Sequence, residues 1–189
     1  MIVETNNTRL TAALLAMGFT IYGEIDFGGA VITFAIAGDR FGGFTPNDYK
    51  DAWSDGMWIH RHPEHPFSAI RKVAEARDWI VSRVVHGKHE ATASDDAFRT
   101  RNLNLASCLV ADGFFLMRLD PFTREFYFPA EAKPFREVFK VHPVDSAIEW
   151  QLRYLSQFNW LRRCMKKGTL EDQPKNCGRQ SECVCLTSI

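Results

Sequence analysis

From Trp58 to His65 the chain reads Trp58-Ile59-His60-Arg61-His62-Pro63-Glu64-His65, which gathers three imidazoles and one carboxylate into a short stretch. Neutral imidazole nitrogens bind zinc, and a carboxylate beside them can hold a second metal or take a proton from metal-bound water. His60, His62, Glu64 and His65 are therefore the candidate set for a metal-dependent hydrolase. The plainer reading is a loop with a histidine at a helix start, because His65-Pro66 recurs as His142-Pro143, where no other histidine stands close. A second set lies at the C-terminal end: Cys164, Cys177, Cys183 and Cys185. Four thiolates can hold zinc, but structural sites bring them in C-x2-C to C-x4-C knuckles, and here twelve, five and one residues separate them. The plain reading is a tail of thiols made more acidic by Lys166, Lys167, Lys175 and Arg179. Zinc is the ion either set would take; the balance favours no cofactor.

Other catalytic signatures are absent from the sequence. It contains no G-x-S-x-G, no G-x4-G-K-[ST] and no G-x-G-x-x-G. Cys108 falls on the apolar face of a predicted helix and reads as a buried structural thiol. These observations favour a non-enzymatic protein. Groups suited to recognition are easier to find. Arg162, Arg163, Lys166 and Lys167 lie near Tyr154, Phe158 and Trp160, a mixture that can neutralise phosphates and stack on bases. Phe41, Phe44, Trp58 and Arg61 are aromatic and basic residues of the kind found at the centres of protein interfaces.

The elements that position these residues are read from an internal repeat. Leu10-Thr11-Ala12-Ala13-Leu14-Leu15-Ala16-Met17-Gly18-Phe19 returns as Leu105-Ala106-Ser107-Cys108-Leu109-Val110-Ala111-Asp112-Gly113-Phe114. Each copy predicts an amphipathic helix, capped at its start by an asparagine (Asn6 or Asn7, Asn102 or Asn104) or Thr8 and closed by the glycine. A β-hairpin follows in each: Phe19 to Ile36 across Gly28-Gly29, and Phe114 to Phe128 across Asp120-Pro121-Phe122-Thr123. Aromatic pairs at i, i+4 come next, Tyr49 with Trp53 and Phe135 with Phe139. Long helices close the copies, with apolar faces at Ile70, Val73, Ala74, Ile80, Val81 and Val84, and at Ile148, Leu152, Leu155, Leu161 and Met165. The expected class is α+β, a duplicated αββα unit with antiparallel hairpins packed on helices. Copy one spans 1–86, a polar linker 87–96, copy two 97–167 and a Cys-containing tail 168–189. A hairpin alone is marginal, so the two are expected to join as one four-stranded sheet, or to pack as two lobes. Copy one also carries insertions at 38–48 and 54–64, which hold Phe41, Phe44, Trp58 and Arg61 and read as its binding surface.

The repeated pattern, best from Asn102 to Leu161 and weaker from Asn6 to Val84, resembles a family of small αββα domains encoded by phages and other mobile elements. That resemblance implies a mobile-element context and brings no catalytic residues. The histidine cluster is similar to the H-x-H-x-D-H zinc motif of metallo-β-lactamase-fold hydrolases, with Glu64 in place of the Asp and Pro66-Phe67 after the last histidine. The expected function is a non-enzymatic accessory protein that binds and inhibits a host or defence-system protein or nucleoprotein, as an anti-CRISPR does. A metal-dependent hydrolase and a nucleic-acid-binding regulator using the basic final helix are the alternatives.

Composition narrows the class. The 189 residues carry 23 basic and 23 acidic side chains and 15 Phe, 5 Trp and 4 Tyr, which excludes a disordered chain and a simple polybasic binder. The neutrality is a sum of opposites: −3 over residues 1–95 and +3 over 96–189. No apolar run is long enough to span a membrane, and five cysteines crowded toward one end do not suit a disulfide-stapled domain. A cytoplasmic protein is expected, with no membrane partner.

Overall fold

The computed structural model describes residues 1–86, 96–120, 122–141, 143–144 and 146–174. The 87–95 part of the predicted linker, Pro121, His89, His142, Lys175, Cys177, Arg179, Cys183 and Cys185 lie outside the described residues. The described chain is α+β. Its elements run β1 (Ile2–Thr5), α1 (Thr8–Ala16), β2 (Thr20–Ile21), β3 (Phe34–Ala37), α2 (Pro46–Ser54), α3 (Trp58–Arg61), α4 (Pro66–His86), β4 (Phe98–Thr100), α5 (Leu103–Ala111), β5 (Arg118–Asp120), β6 (Glu125–Phe128), a 3-10 turn (Ala130–Ala132), α6 (Phe135–Val141) and α7 (Ala147–Lys167).

Local chemistry explains the first helices. Asn7 accepts from the amides of Arg9 and Leu10, and Asn102 from those of Asn104 and Leu105, so each asparagine satisfies donors that the first helical turn leaves free. The closing glycines do parallel work: Gly18 (φ 93°) and Gly113 (φ 92°) sit in the left-handed region. Around them Gly18 N–H donates to Leu15 O and Phe19 N–H to Leu14 O, while Gly113 N–H donates to Val110 O and Phe114 N–H to Leu109 O, the paired bonds of a Schellman end. Leu10, Leu14, Leu105, Cys108 and Leu109 are buried along the predicted stripes.

The sheets depart from expectation. Among the described residues there are two, each three-stranded and antiparallel, in the orders β1-β3-β2 and β4-β6-β5, and these do not join as one four-stranded sheet. The first arms of the expected hairpins are strand only at Thr20–Ile21 and Arg118–Asp120, and a short strand ahead of each helix completes each sheet. Val3 pairs with Ile36, and Arg99 with Tyr127. Those extra strands have four and three residues, too few for a period-two signal to stand out. Within the central strands the alternation is as read: Phe34 and Ile36, like Phe126 and Phe128, all point into their cores.

Contacts do not divide the chain at the linker. One unit comprises Met1–Arg71 with the described residues from Trp150 onward, the other the described residues of Lys72–Glu149. Most of α7 thus belongs to the unit of the first sheet, and most of α4 to the unit of the second. An amphipathic helix of 21 residues covers whatever apolar face it meets, and sequence periodicity does not say which. In the first unit α7 buries Leu152, Leu155, Trp160, Leu161 and Cys164, with Met165 half-buried. On α4, Ile70, Val73, Ala74 and Ile80 are buried as read, but Val81 is exposed.

Asn7→Ala and Asn102→Ala should each lower unfolding stability by about 1 kcal/mol in urea titrations, with little difference between them. Loss of stability in only one variant would break the equivalence of the two caps.

Candidate functional site

All the side chains of this site lie in the first unit, in the two insertions, on α2 and near the starts of α4 and α7. Thr45 opens α2 with a reciprocal cap: the Asp48 carboxylate accepts from Thr45 N–H at 2.7 Å, and Thr45 Oγ1 accepts from Asp48 N–H. The bond from Thr45 N–H, with a second that the Thr45 hydroxyl donates to the same carboxylate at 2.7 Å, holds the Asp48 carboxyl below the usual carboxylate range. Just before this cap, Phe41 and Phe44 exchange both backbone hydrogen bonds, at 2.9 and 3.0 Å, across Gly42-Gly43. With φ of 54° and 87° the two glycines have the positive dihedrals that a tight two-residue hairpin turn demands.

This turn lies against His65. A Cβ on Gly42 would stand 2.5 Å from His65 Nε2, so only glycine lets the backbone approach the ring so closely. The imidazole is committed on both sides. Phe67 N–H donates to Nδ1 at 3.2 Å, which makes Nδ1 an acceptor and places the ring proton on Nε2. Nε2 faces Tyr49 Oη at 3.3 Å, and the Tyr49 hydroxyl donates onward to the Phe41 carbonyl at 2.6 Å. Burial, then the charge of His62, pulls the His65 pKa below the ordinary histidine value, and burial pushes the Tyr49 phenol up. Both groups are held neutral in a relay that joins α4, α2 and the glycine turn.

Aromatic rings close around the relay. Phe44 lies 4.9 Å from Trp58, 5.8 Å from Tyr49 and 5.6 Å from both His62 and His65, centre to centre. Trp58 tilts over His62 at 4.3 Å, Tyr49 meets Phe67 at 4.8 Å, and Phe41 meets Trp150 of α7 edge-on at 5.5 Å. Two polar links brace the cluster: Ser68 Oγ donates to His62 O at 2.6 Å, and buried Arg71 donates to Ala52 O and Asp55 O at the end of α2.

The structure therefore corrects the role assigned to the insertions. Trp58 is buried, and Phe41 and Phe44 are half-buried, so these rings build a core instead of facing outward. Arg61 is exposed but pairs with Asp55. His60 and Glu64 are exposed and His62 is half-buried. Among the described residues no group of three or more His, Cys, Asp or Glu side chains stands together as a metal ion needs, and His65 could enter one only by giving up a bond at one of its nitrogens. Cys108 is buried as read, its thiol pushed up by the loss of solvation and by Asp112. Cys164 is also buried, and its sulfur accepts from Glu171 N–H.

On α7, Arg162, Arg163, Lys166 and Lys167 are all exposed, but Glu171 pairs with Arg163 and Lys167. In the second unit is a surface the sequence reading did not single out. Arg99, Tyr127 and Arg118 are direct cross-strand partners on the face of the β4-β6-β5 sheet opposite Phe126 and Phe128, their guanidiniums 5.8 and 5.4 Å from the centre of the Tyr127 ring. Glu125 on the same strand accepts from the Tyr127 hydroxyl and pairs with Arg101. Beyond the edge strand, Phe122 is 96% exposed, on a turn whose Phe122 and Thr123 amides both donate to the Asp120 carboxylate. Alternation in Arg118-Leu119-Asp120 and Glu125-Phe126-Tyr127-Phe128 was the available signal for this face. Compared with protein-family models, curated proteins and solved structures, the chain matches none.

Two outcomes test the relay. Gly42→Ala should cost at least about 1 kcal/mol more than Gly43→Ala in denaturant titrations, since both strain a positive φ but only the first drives a methyl group into His65. Equal costs would mean that the ring yields. For pH, the folded pKa of His65 lies below its unfolded value of about 6.5, so the unfolded chain binds more protons between the two. Stability is then fully present above about pH 6.5 and falls as pH drops toward the depressed folded value. The melting temperature of the wild type should fall more steeply than that of His65→Gln over this window, and parallel curves would contradict the assignment.

Proposed function

We propose that this chain is a non-enzymatic binding protein that modulates a host or defence-system protein or nucleoprotein by occlusion. What supports this is the contrast between its reactive and its presented groups. Among the described residues, three of the groups that chemistry could use are committed inward: both nitrogens of His65 carry hydrogen bonds, and the thiols of Cys108 and Cys164 are buried. The observation that carries the reading is Phe122, a large apolar ring almost wholly in solvent on a turn fixed by two hydrogen bonds. An exposed aromatic in the same unit as the Arg99–Tyr127–Arg118 face offers the residue types from which interface hot spots are built, and a turn held by two hydrogen bonds lowers the entropic cost of docking. Phe115, 70% exposed in the same unit, adds apolar surface.

The repeated order of strand, helix, two strands and helices supports a duplicated unit, with a strand ahead of the αββα pattern in each copy. The resemblance to mobile-element domains puts defence nucleoproteins, the targets of anti-CRISPR proteins, first among partners. The hydrolase reading has less support, because recruiting His65 to a metal would dismantle the relay that holds the glycine turn.

The test compares the full chain with Phe122→Ala as bait against candidate host nucleoproteins in purified form. Phe122 packs on little, so the substitution should shift stability by no more than about 0.5 kcal/mol. Binding should weaken roughly tenfold or more, with the partner's activity restored in proportion. A partner bound equally by both forms, or activity against a hydrolysable substrate abolished by chelator, would overturn the proposal.

A further inference from the structure

Strand register sets two rows of side chains on the outer face of the β4-β6-β5 sheet. In the first row, Arg99 of β4 and Arg118 of β5 flank Tyr127 of β6. In the second, Glu125 of β6 stands opposite Asp120 of β5, and Arg101, just past the end of β4, reaches Glu125. Strands roughly 4.8 Å apart put the two arginines of the first row about 10 Å apart at the backbone, and both guanidiniums lean toward the ring between them. Both arginines are exposed, and among the described residues neither pairs with a carboxylate.

The acids of the second row are already engaged. Glu125 pairs with Arg101 and accepts from the Tyr127 hydroxyl, and Asp120 accepts from the amides of Phe122 and Thr123. Arg118 adds only the smallest of the influences that hold the Asp120 carboxyl low. The face therefore keeps positive charge to spare, and Arg124, exposed at a left-handed φ of 55°, adds another cation on the turn that carries Phe122. Two strand residues, roughly 7 Å, separate Arg118 from the end of β5 where that turn begins.

We propose that this face holds a short single strand of nucleic acid, with phosphates on Arg99 and Arg118 and one base stacked on Phe122. A guanidinium fork donates two parallel hydrogen bonds to a phosphate, and the Tyr127 ring already holds both forks by cation–π contact, so less freedom is lost when they bind. Phe122 is 96% exposed and offers a ring face on which any base can stack. A duplex keeps its bases paired, and an acidic peptide need carry no flat ring, so only a single strand uses both features. This names the nucleic-acid part of a nucleoprotein as what the surface touches, and so rests on the reading of that surface as a docking face.

The full chain is titrated with short fluorescent oligouridylate and oligodeoxyuridylate, with a duplex of the same length and with polyglutamate, and binding is read by fluorescence anisotropy. The single strands should bind saturably at low salt, and their affinity should fall about sevenfold between about 50 and 200 mM salt, as two phosphate contacts require. Arg99→Ala and Arg118→Ala, both at exposed positions, should keep the wild-type circular dichroism and each lower the slope of log affinity against log salt by about 0.7. Phe122→Ala should weaken strand binding about fivefold or more, while Arg136→Ala, an exposed cation on α6, leaves it unchanged. Equal affinity for the two strands assigns the face to phosphate and base alone, and a tenfold preference for oligouridylate adds recognition of the 2′-hydroxyl. The proposal is overturned by no saturable strand binding, by duplex or polyglutamate binding as tightly, or by an affinity that Arg99→Ala, Arg118→Ala or Phe122→Ala leaves unchanged. If the strands do not bind but a purified nucleoprotein still loses affinity with Phe122→Ala, the proposal fails alone; if Phe122→Ala moves neither, the docking reading fails with it.

Discussion

The approach of Gly42 to His65 is the constraint on which the first unit's interior depends. Because the backbone comes within reach of the ring, the imidazole has no room to turn, and its two nitrogens are fixed in opposite roles. The accepting nitrogen fixes the first turn of α4 through Phe67, and the donating one orients Tyr49 on α2, whose hydroxyl returns to the carbonyl that starts the glycine turn. Phe44, Trp58 and His62 then pack around a closed loop of polar groups. Hydrogen bonds inside a ring cluster are stronger than in water, and the same low polarity would penalise any broken one. Histidines that look like ligands by spacing are used here as struts.

Much of the backbone was legible in the sequence. Asn7, Asn102, Gly18, Gly113 and Gly42-Gly43 act through local dihedrals and local donors, and such residues reveal themselves without knowledge of the fold. The apolar faces of α1, α5 and α7 were legible for the same reason, since a helix period is written in consecutive residues. Strands β1 and β4 were not, because their pairing depends on partners roughly thirty residues away and their own length carries almost no pattern.

The candidate site was legible in composition and misleading in exposure. Phe41, Phe44 and Trp58 were noticed because no repeat partner explained them, but an unpaired aromatic in an insertion can serve as core as readily as surface. Burial belongs to tertiary packing, here to the arrival of Trp150 against Phe41 from far along the chain. Conversely, Phe122 was taken only as part of a turn, and Arg99, Arg118 and Tyr127 became a group only once β4, β5 and β6 were in register.

The division of α4 and α7 between the units has a consequence for synthesis. β1 leaves the ribosome long before α7, and the helix that completes the first unit ends only at Lys167. Until then Phe41 and Thr8 lack the contacts with Trp150 and Met165 that they have in the finished protein, so the first unit cannot finish folding as it emerges. Contacts spanning most of the chain slow folding and prolong the exposure of apolar surface. The second unit, whose residues 72–149 are contiguous, is released whole while the first is still waiting, so the order of folding runs against the order of translation.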